Sequence, residues 1–277
     1  MRAGVRQGRW EAPALPPVLR TPMLVVAVAA LVTLVVLAVV FAGSSDPRGF
    51  DRWAQATVTD PPAPWYDVAL VVDFGGEPAG AAILVALVAG ACVLAGKLRL
   101  AVLAVAGPCL CVVVTTGLKP LVGRTINGDF LSFPSGHTAL LTAVALVLGL
   151  LVADLGMARR GRGGIPVSGA SAARVGGAGG VPGGGVPGGV PGGGVTGGVP
   201  GGGVTGGGGL LVGGAVVYGF GLVCGAAMAW AQIALDAHYP TDTLGGFATA
   251  LVCVPLVALV VDARVPHPGR RDPHSGR

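Results

Sequence analysis

Two short stretches carry the residue types that do acid–base and phosphoryl chemistry, in a chain otherwise made largely of Val, Ala, Leu and Gly. The first, LKPLVGRTINGDFLSFPSGHT from Leu118 to Thr138, holds Lys119, Arg124, Ser135, Gly136 and His137. The second, WAQIALDAHYPTDTLGG from Trp230 to Gly246, holds His238 and Asp242. The chain has four histidines, and with His267 and His274 in the C-terminal tail the other two both fall in these stretches. Pro134 suits a first helical turn, where its missing N–H would have no partner, so a helix is expected to open there with His137 in its first turn. The N–H groups of Ser135 and Gly136 would then lack intrahelical acceptors and sit at the positive end of the helix dipole, which favours an anion such as phosphate. Lys119 and Arg124 add positive charge to the same loop, Arg124 with a donor fork that matches phosphate oxygens. His238 and Asp242 are four apart, with Pro240 opening the next helix between them. A carboxylate on one imidazole nitrogen fixes the tautomer and strengthens the other as a nucleophile, while His137 can protonate a departing oxygen. A metal held by His137, His238 and Asp242 is the competing chemistry. Lys119 and Arg124 oppose a cation and favour an anion, so no metal is expected. Asp236 reads as a solvated loop carboxylate.

These residues need a scaffold, and composition says which. Of 277 residues, 52% are hydrophobic and 11% charged, and mean hydropathy is +0.76, the profile of an integral membrane protein. Six apolar stretches, near 22–43, 78–96, 100–118, 134–153, 210–233 and 243–262, approach the roughly 20 residues that cross a bilayer as a helix. The first is longer than a signal-peptide core and reads as a retained span. The expected fold is therefore all-α: a six-transmembrane-helix bundle. Its parts are a cytoplasmic tail at 1–21, four spans within 22–155, a disordered Gly/Pro/Val-rich cytoplasmic linker at 156–209, two spans within 210–263 and a tail at 264–277. The linker's repeats, such as VPGGGVPGG, cannot form a packed core, and no strand, helix and Lys surround them as in a phosphate-binding loop.

With both termini inside, fourteen of the eighteen Lys and Arg residues fall on the cytoplasmic side, which fixes the expected orientation. Both chemical stretches then face outward and can build one site. The net charge of +5 follows from this topology and from anionic inner-leaflet lipid, with no call for nucleic acid. Cys92, Cys109, Cys111, Cys224 and Cys253 all fall in apolar spans and read as small buried residues.

Lys119, the PSGH of Pro134 to His137 and the HYPTD of His238 to Asp242 resemble, in order and spacing, the three signature motifs of the type 2 phosphatidic acid phosphatase family, and the six-span layout resembles its membrane branch. The resemblance implies a metal-free lipid phosphate phosphatase with no cofactor. His238 would attack phosphorus and form a phosphohistidine, Asp242 would orient it, and His137 would protonate the leaving group and later activate water. Lys119, Ser135 and Gly136 would hold the phosphate. Two positions depart from the family pattern. Ile126 and Asn127 stand where the first motif has Arg-Pro, with Arg124 nearby as a substitute. Ala231 and Gln232 stand where the third has Ser-Arg, so Gln232 would offer phosphate a neutral hydrogen bond, about half as strong as a charge-assisted one. The implied partners are the bilayer and a lipid phosphate, of the phosphatidic acid, phosphatidylglycerol phosphate or polyprenyl diphosphate kind. The composition, heavy in Ala, Gly, Val and Arg, points separately to a GC-rich bacterial genome and so to a plasma membrane, with the site outside by the charge-derived topology. The alternative is a weakened or inactive lipid-phosphate-binding protein of the same fold; transport is disfavoured because no ionisable residue sits mid-span.

Overall fold

The computed structural model describes residues 13–162 and 205–264, with side chains for 13–158 and 211–264. The tails and most of the Gly/Pro-rich linker lie outside the described residues. Eight helices account for nearly all of what is described: α1 Pro17–Phe41, α2 Gly49–Val58, α3 Trp65–Phe74, α4 Pro78–Leu94, α5 Leu98–Val122, α6 Gly136–Arg162, α7 Thr205–Ala234 and α8 Pro240–Arg264. Proline opens α1, α4 and α8, where its missing N–H leaves no helical bond unmade.

α6 is the central post. Its Ala139, Ala143, Leu146, Val147 and Leu150 are buried, packed in one cluster with Leu103, Ala104 and Cys111 of α5 and with Ala250, Val254 and Ala258 of α8. Outward-facing side chains are just as apolar: Val39 is 73% exposed, Val71 74%, Leu121 80% and Leu94 88%. Water would make such a surface an aggregation hazard, whereas hydrocarbon is its natural solvent. The chain is a multi-pass membrane protein.

Five described helices, α1, α5, α6, α7 and α8, are long and apolar enough to span a bilayer. A sixth span exists only if α3 and α4 are taken together, and these are bent by 66° about the break at residues 75–77. α4 alone has 17 residues, about 25 Å of helix, and is short for a crossing. The expected second span at 78–96 corresponds to α4 alone, and the Gly75–Gly76 break that joins it to α3 lies just before it. Helix extends to Arg162 and resumes at Thr205, so α6 and α7 run into both ends of the expected linker at 156–209. The connection after α5 forms a small antiparallel hairpin, β1 Thr125–Ile126 and β2 Phe130–Leu131.

The bundle is polar at both ends. At one, Asp262 accepts from the N–H groups of Ala14 and Leu15 and pairs with Arg20 and Arg99, while Lys97 pairs with Asp154. The other holds the two chemical stretches. There α2, with Asp51 and Ala54 buried and Phe50 and Trp53 exposed and stacked 6.0 Å apart, lies across the helix ends. An amphipathic helix with an outward aromatic pair is suited to a membrane–water interface.

Candidate active site

α6 starts at Gly136, two residues later than the expected start at Pro134. Ser135 is the cap: its Oγ accepts from the N–H of Thr138 at 3.4 Å and shares a hydrogen bond with the Thr138 hydroxyl at 3.1 Å. The Ser135 N–H, expected to be free for phosphate, donates instead to the carbonyl of Asp242 at 2.9 Å. That bond ties the start of α6 to the start of α8. The anion-facing groups shift to the N–H of Gly136 and His137, the first two residues of the helix, which have no intrahelical acceptor. The approach needs glycine on the α8 side, because a Cβ at Gly246 would lie 2.3 Å from the Ser135 carbonyl oxygen.

His238 sits in the α7–α8 turn, held by the last residues of α7. The Gln232 carbonyl accepts from the N–H of Ala237 at 2.9 Å and of His238 at 3.3 Å. His238 is 7% exposed, and its Nδ1 stands 3.8 Å from Asp242 Oδ2, an ion-pair distance that is too long for a hydrogen bond. Asp242 lies in the first turn of α8 and is itself fixed: Oδ2 accepts from the N–H of Tyr239 at 3.1 Å and Oδ1 from Arg124 at 2.6 Å. Burial pushes the His238 imidazole below its ordinary value, against the opposite pull of Asp242 and with Lys119 and His137 adding to the lowering. At neutral pH this favours the neutral ring. Lys119, half-buried in the last turn of α5, thus has its charge felt at His238.

Arg124 takes a different part from the one its sequence position suggests. It is fully buried, with one nitrogen on Asp242 and Thr241, each at 2.6 Å, and another on Asp51 at 2.7 Å. Its guanidinium stacks between the rings of Phe41, at 4.0 Å, and Tyr239, at 4.4 Å. A fork spent on two carboxylates is not available to phosphate, so Arg124 serves to hold Asp242. Asp51 completes the clamp by accepting from the N–H and hydroxyl of Thr241.

His137 faces the α3–α4 break. Its Nε2 stands 3.8 Å from Asp73 and 3.8 Å from Glu77. The Gln232 side chain, expected to reach phosphate, instead donates to Asp73 and is 1% exposed. The ligand atoms of Asp73, Glu77 and His137 lie within 4.8 Å of one another, close enough to share one cation. That trio differs from the His137, His238 and Asp242 set weighed on sequence grounds. Asp236, read as solvated, accepts from Gln55 at 3.0 Å.

Lys119, Gly136, His137, His238 and Asp242, from the α5–α6 and α7–α8 connections, therefore converge on one end of the bundle. The PAP2 superfamily model matches residues 26–266, from within α1 past the end of α8. The chain belongs to the PAP2 superfamily. Comparison with curated proteins found no match, and comparison with solved structures found none. PAP2 membership supports phosphatase chemistry on lipid-type phosphates in general.

Asp51, Asp73, Glu77 and Thr241 were not singled out from the sequence. The signal for two of them was present: DFGGEP places carboxylates on either side of a Gly-Gly break, next to a proline that opens a new helix.

Proposed function

We propose that this PAP2 protein is a lipid phosphate phosphatase that works at the extracytoplasmic face through a phosphohistidine on His238. The observation that carries it is a buried His238, its Nδ1 turned toward the clamped Asp242, beside a helix start whose first N–H groups have no helical acceptor. His238 Nε2 attacks phosphorus and the P–O bond to the lipid breaks. His137 gives a proton to the leaving oxygen, then takes one from the water that cleaves the P–N bond, and inorganic phosphate departs. Lys119 and the N–H groups of Gly136 and His137 hold the phosphate. Both termini lie in the cytoplasm; a cysteine at Gly128 should then react with an impermeant thiol reagent added from outside, and labelling only after permeabilisation would reverse the topology.

A cavity of about 370 Å³ supports a lipid substrate. It opens beside Thr138 and Thr243, and its wall is almost wholly apolar, from Leu222, Ala226, Ala229 and Phe247. A hydrocarbon chain laid there leaves its phosphate near the start of α6. Phenylalanine at Ala229 should raise KM for a long-chain phosphatidic acid by roughly tenfold, given about 0.8 kcal/mol for each methylene displaced, and leave a water-soluble phosphate ester unaffected. Equal effects on both substrates would remove the cavity from the reading.

The direct test is phosphate release in detergent with EDTA, from phosphatidic acid and from a prenyl diphosphate. Release from neither would favour the second reading, a lipid-phosphate-binding protein without turnover, for which the neutral Gln232 engaged with Asp73 is the motivating observation. Loss of release in EDTA would sink the metal-free mechanism. The pH dependence is also specified. His238 must be neutral to attack and its pKa is lowered from 6.5, so kcat/KM should fall toward acid with a midpoint below 6.5. The profile must be corrected for the substrate's own ionisation at about 6. Asp242→Asn removes the opposing pull and should move that limb further down while lowering the plateau. A wild-type midpoint above 6.5 contradicts a buried neutral nucleophile.

A further inference from the structure

The break between α3 and α4 is built onto the ring of His137. A Cβ at Gly76 would lie 2.1 Å from His137 Cδ2 and 2.6 Å from Cγ, so the imidazole rests directly on the backbone of the break. Its Nε2 is shielded from solvent, has no hydrogen-bond partner and points between Asp73 and Glu77. The two carboxylates are not equivalent. Glu77 is 53% exposed, whereas Asp73 is 21% exposed and is gripped by the buried amide of Gln232. An amide holds a carboxylate in place without neutralising it, where an arginine would have cancelled its charge.

We infer that Asp73 is a positioning residue for the proton donor: it takes the Nε2–H of the His137 imidazolium and so reserves Nδ1–H for the leaving oxygen. This rests on His137 being the general acid. A carboxylate bonded to one ring nitrogen decides which tautomer remains after transfer and how the ring is aimed. The free-state separation of 3.8 Å is an open contact of the kind that tightens in the substrate complex. In the first step the Nδ1 proton passes to the alkoxide as the P–O bond breaks, leaving a neutral ring protonated on Nε2 against Asp73. In the second, Nδ1 takes a proton from the attacking water. Gln232 acts one step further out, holding Asp73.

The test separates acid catalysis from mere folding by the choice of leaving group. Wild type, Asp73→Asn, Asp73→Glu and His137→Ala are assayed with EDTA on dioctanoyl phosphatidic acid, whose alkoxide needs a proton, and on p-nitrophenyl phosphate, whose phenolate does not. For Asp73→Asn, kcat on the lipid should fall by about 10²-fold, at the low end of what a positioned acid contributes. KM should stay within about twofold, because the substrate-binding groups are untouched. The rapid-quench burst of nitrophenol should keep its wild-type rate, and Asp73→Glu should recover part of the loss. An equal fall in the burst, or a rise in KM alone, overturns the inference. So does activity that vanishes in EDTA and returns with a divalent cation, because Asp73, Glu77 and His137 would then be holding a metal. If His137→Ala discriminates between the two substrates and Asp73→Asn does not, only the role of Asp73 fails. If His137→Ala does not discriminate, the general acid itself is misassigned.

Discussion

Alanine at His238 should abolish phosphate release from every lipid phosphate the wild type accepts, a fall in kcat on the order of 10⁴-fold or more, as follows from the proposed function when the nucleophile of a cooperating set is removed. The size follows from the geometry. His238 is the buried imidazole beside a fixed carboxylate, and nothing within the described site stands ready to replace it: His137 is turned toward the α3–α4 break, and Lys119 is assigned to phosphate in the proposed function. The same variant should yield no acid-labile phosphoprotein when quenched during turnover, whereas wild type should. Release that survives the substitution would mean that the attacking group lies elsewhere, and a quenched wild type without phosphoprotein would point to direct attack by water.

Leucine at Arg124 should unfold the outer end of the bundle. Arg124, Asp51 and Asp242 are all fully buried, and one guanidinium serves both carboxylates. Removing the cation strands two charges in a low-dielectric interior, where breaking a single buried pair already costs about 3–5 kcal/mol. Against a typical total stability of about 5–15 kcal/mol, that is a large share. Thermal unfolding in detergent should shift down markedly, with activity lost in parallel. Arg124→Lys should fall between, since a single ammonium cannot reproduce the fork or the stacking between Phe41 and Tyr239. Were Arg124 a phosphate ligand, the leucine variant would instead keep its thermal midpoint and show a raised KM.

The parts of the molecule legible in the sequence are those set by short-range chemistry. Length and hydropathy suffice to locate α1, α5, α6, α7 and α8, because a bilayer imposes one dimension on all of them. His238, Pro240 and Asp242 are close in the chain, and a turn followed by a proline-opened helix start suffices to bring them together. What could not be read depends on pairings across long sequence separations. Asp51 meets Arg124 across 73 residues, and Gln232 meets Asp73 across 159. Arg124 looked like a phosphate ligand because its type and loop fit one, and only the burial of two carboxylates around it reveals a different employment. At Ser135 the difference is subtler. Its N–H would be free at an isolated helix start, but the Asp242 carbonyl from another helix reaches it. The pairing of α3 with α4 was not legible, because α3 has 10 residues, too few to register as a span, and its 66° angle to α4 is a tertiary feature.

The α3–α4 break, the start of α6 and the start of α8 share a further property. α4, α6 and α8 are among the helices that begin at this end of the bundle, each start presenting roughly half a unit of positive charge. The side chains around them sum the other way: Lys119 and Arg124 are two cations, against the four carboxylates of Asp51, Asp73, Glu77 and Asp242. On the proposed function, the pull on phosphate therefore rests on Lys119 and, beyond it, on the main chain at the start of α6, and the acidic side chains organise the histidines and the Arg124 clamp. A site electrified by its backbone is hard to disarm by changing surface charges and easy to disarm by moving a helix end.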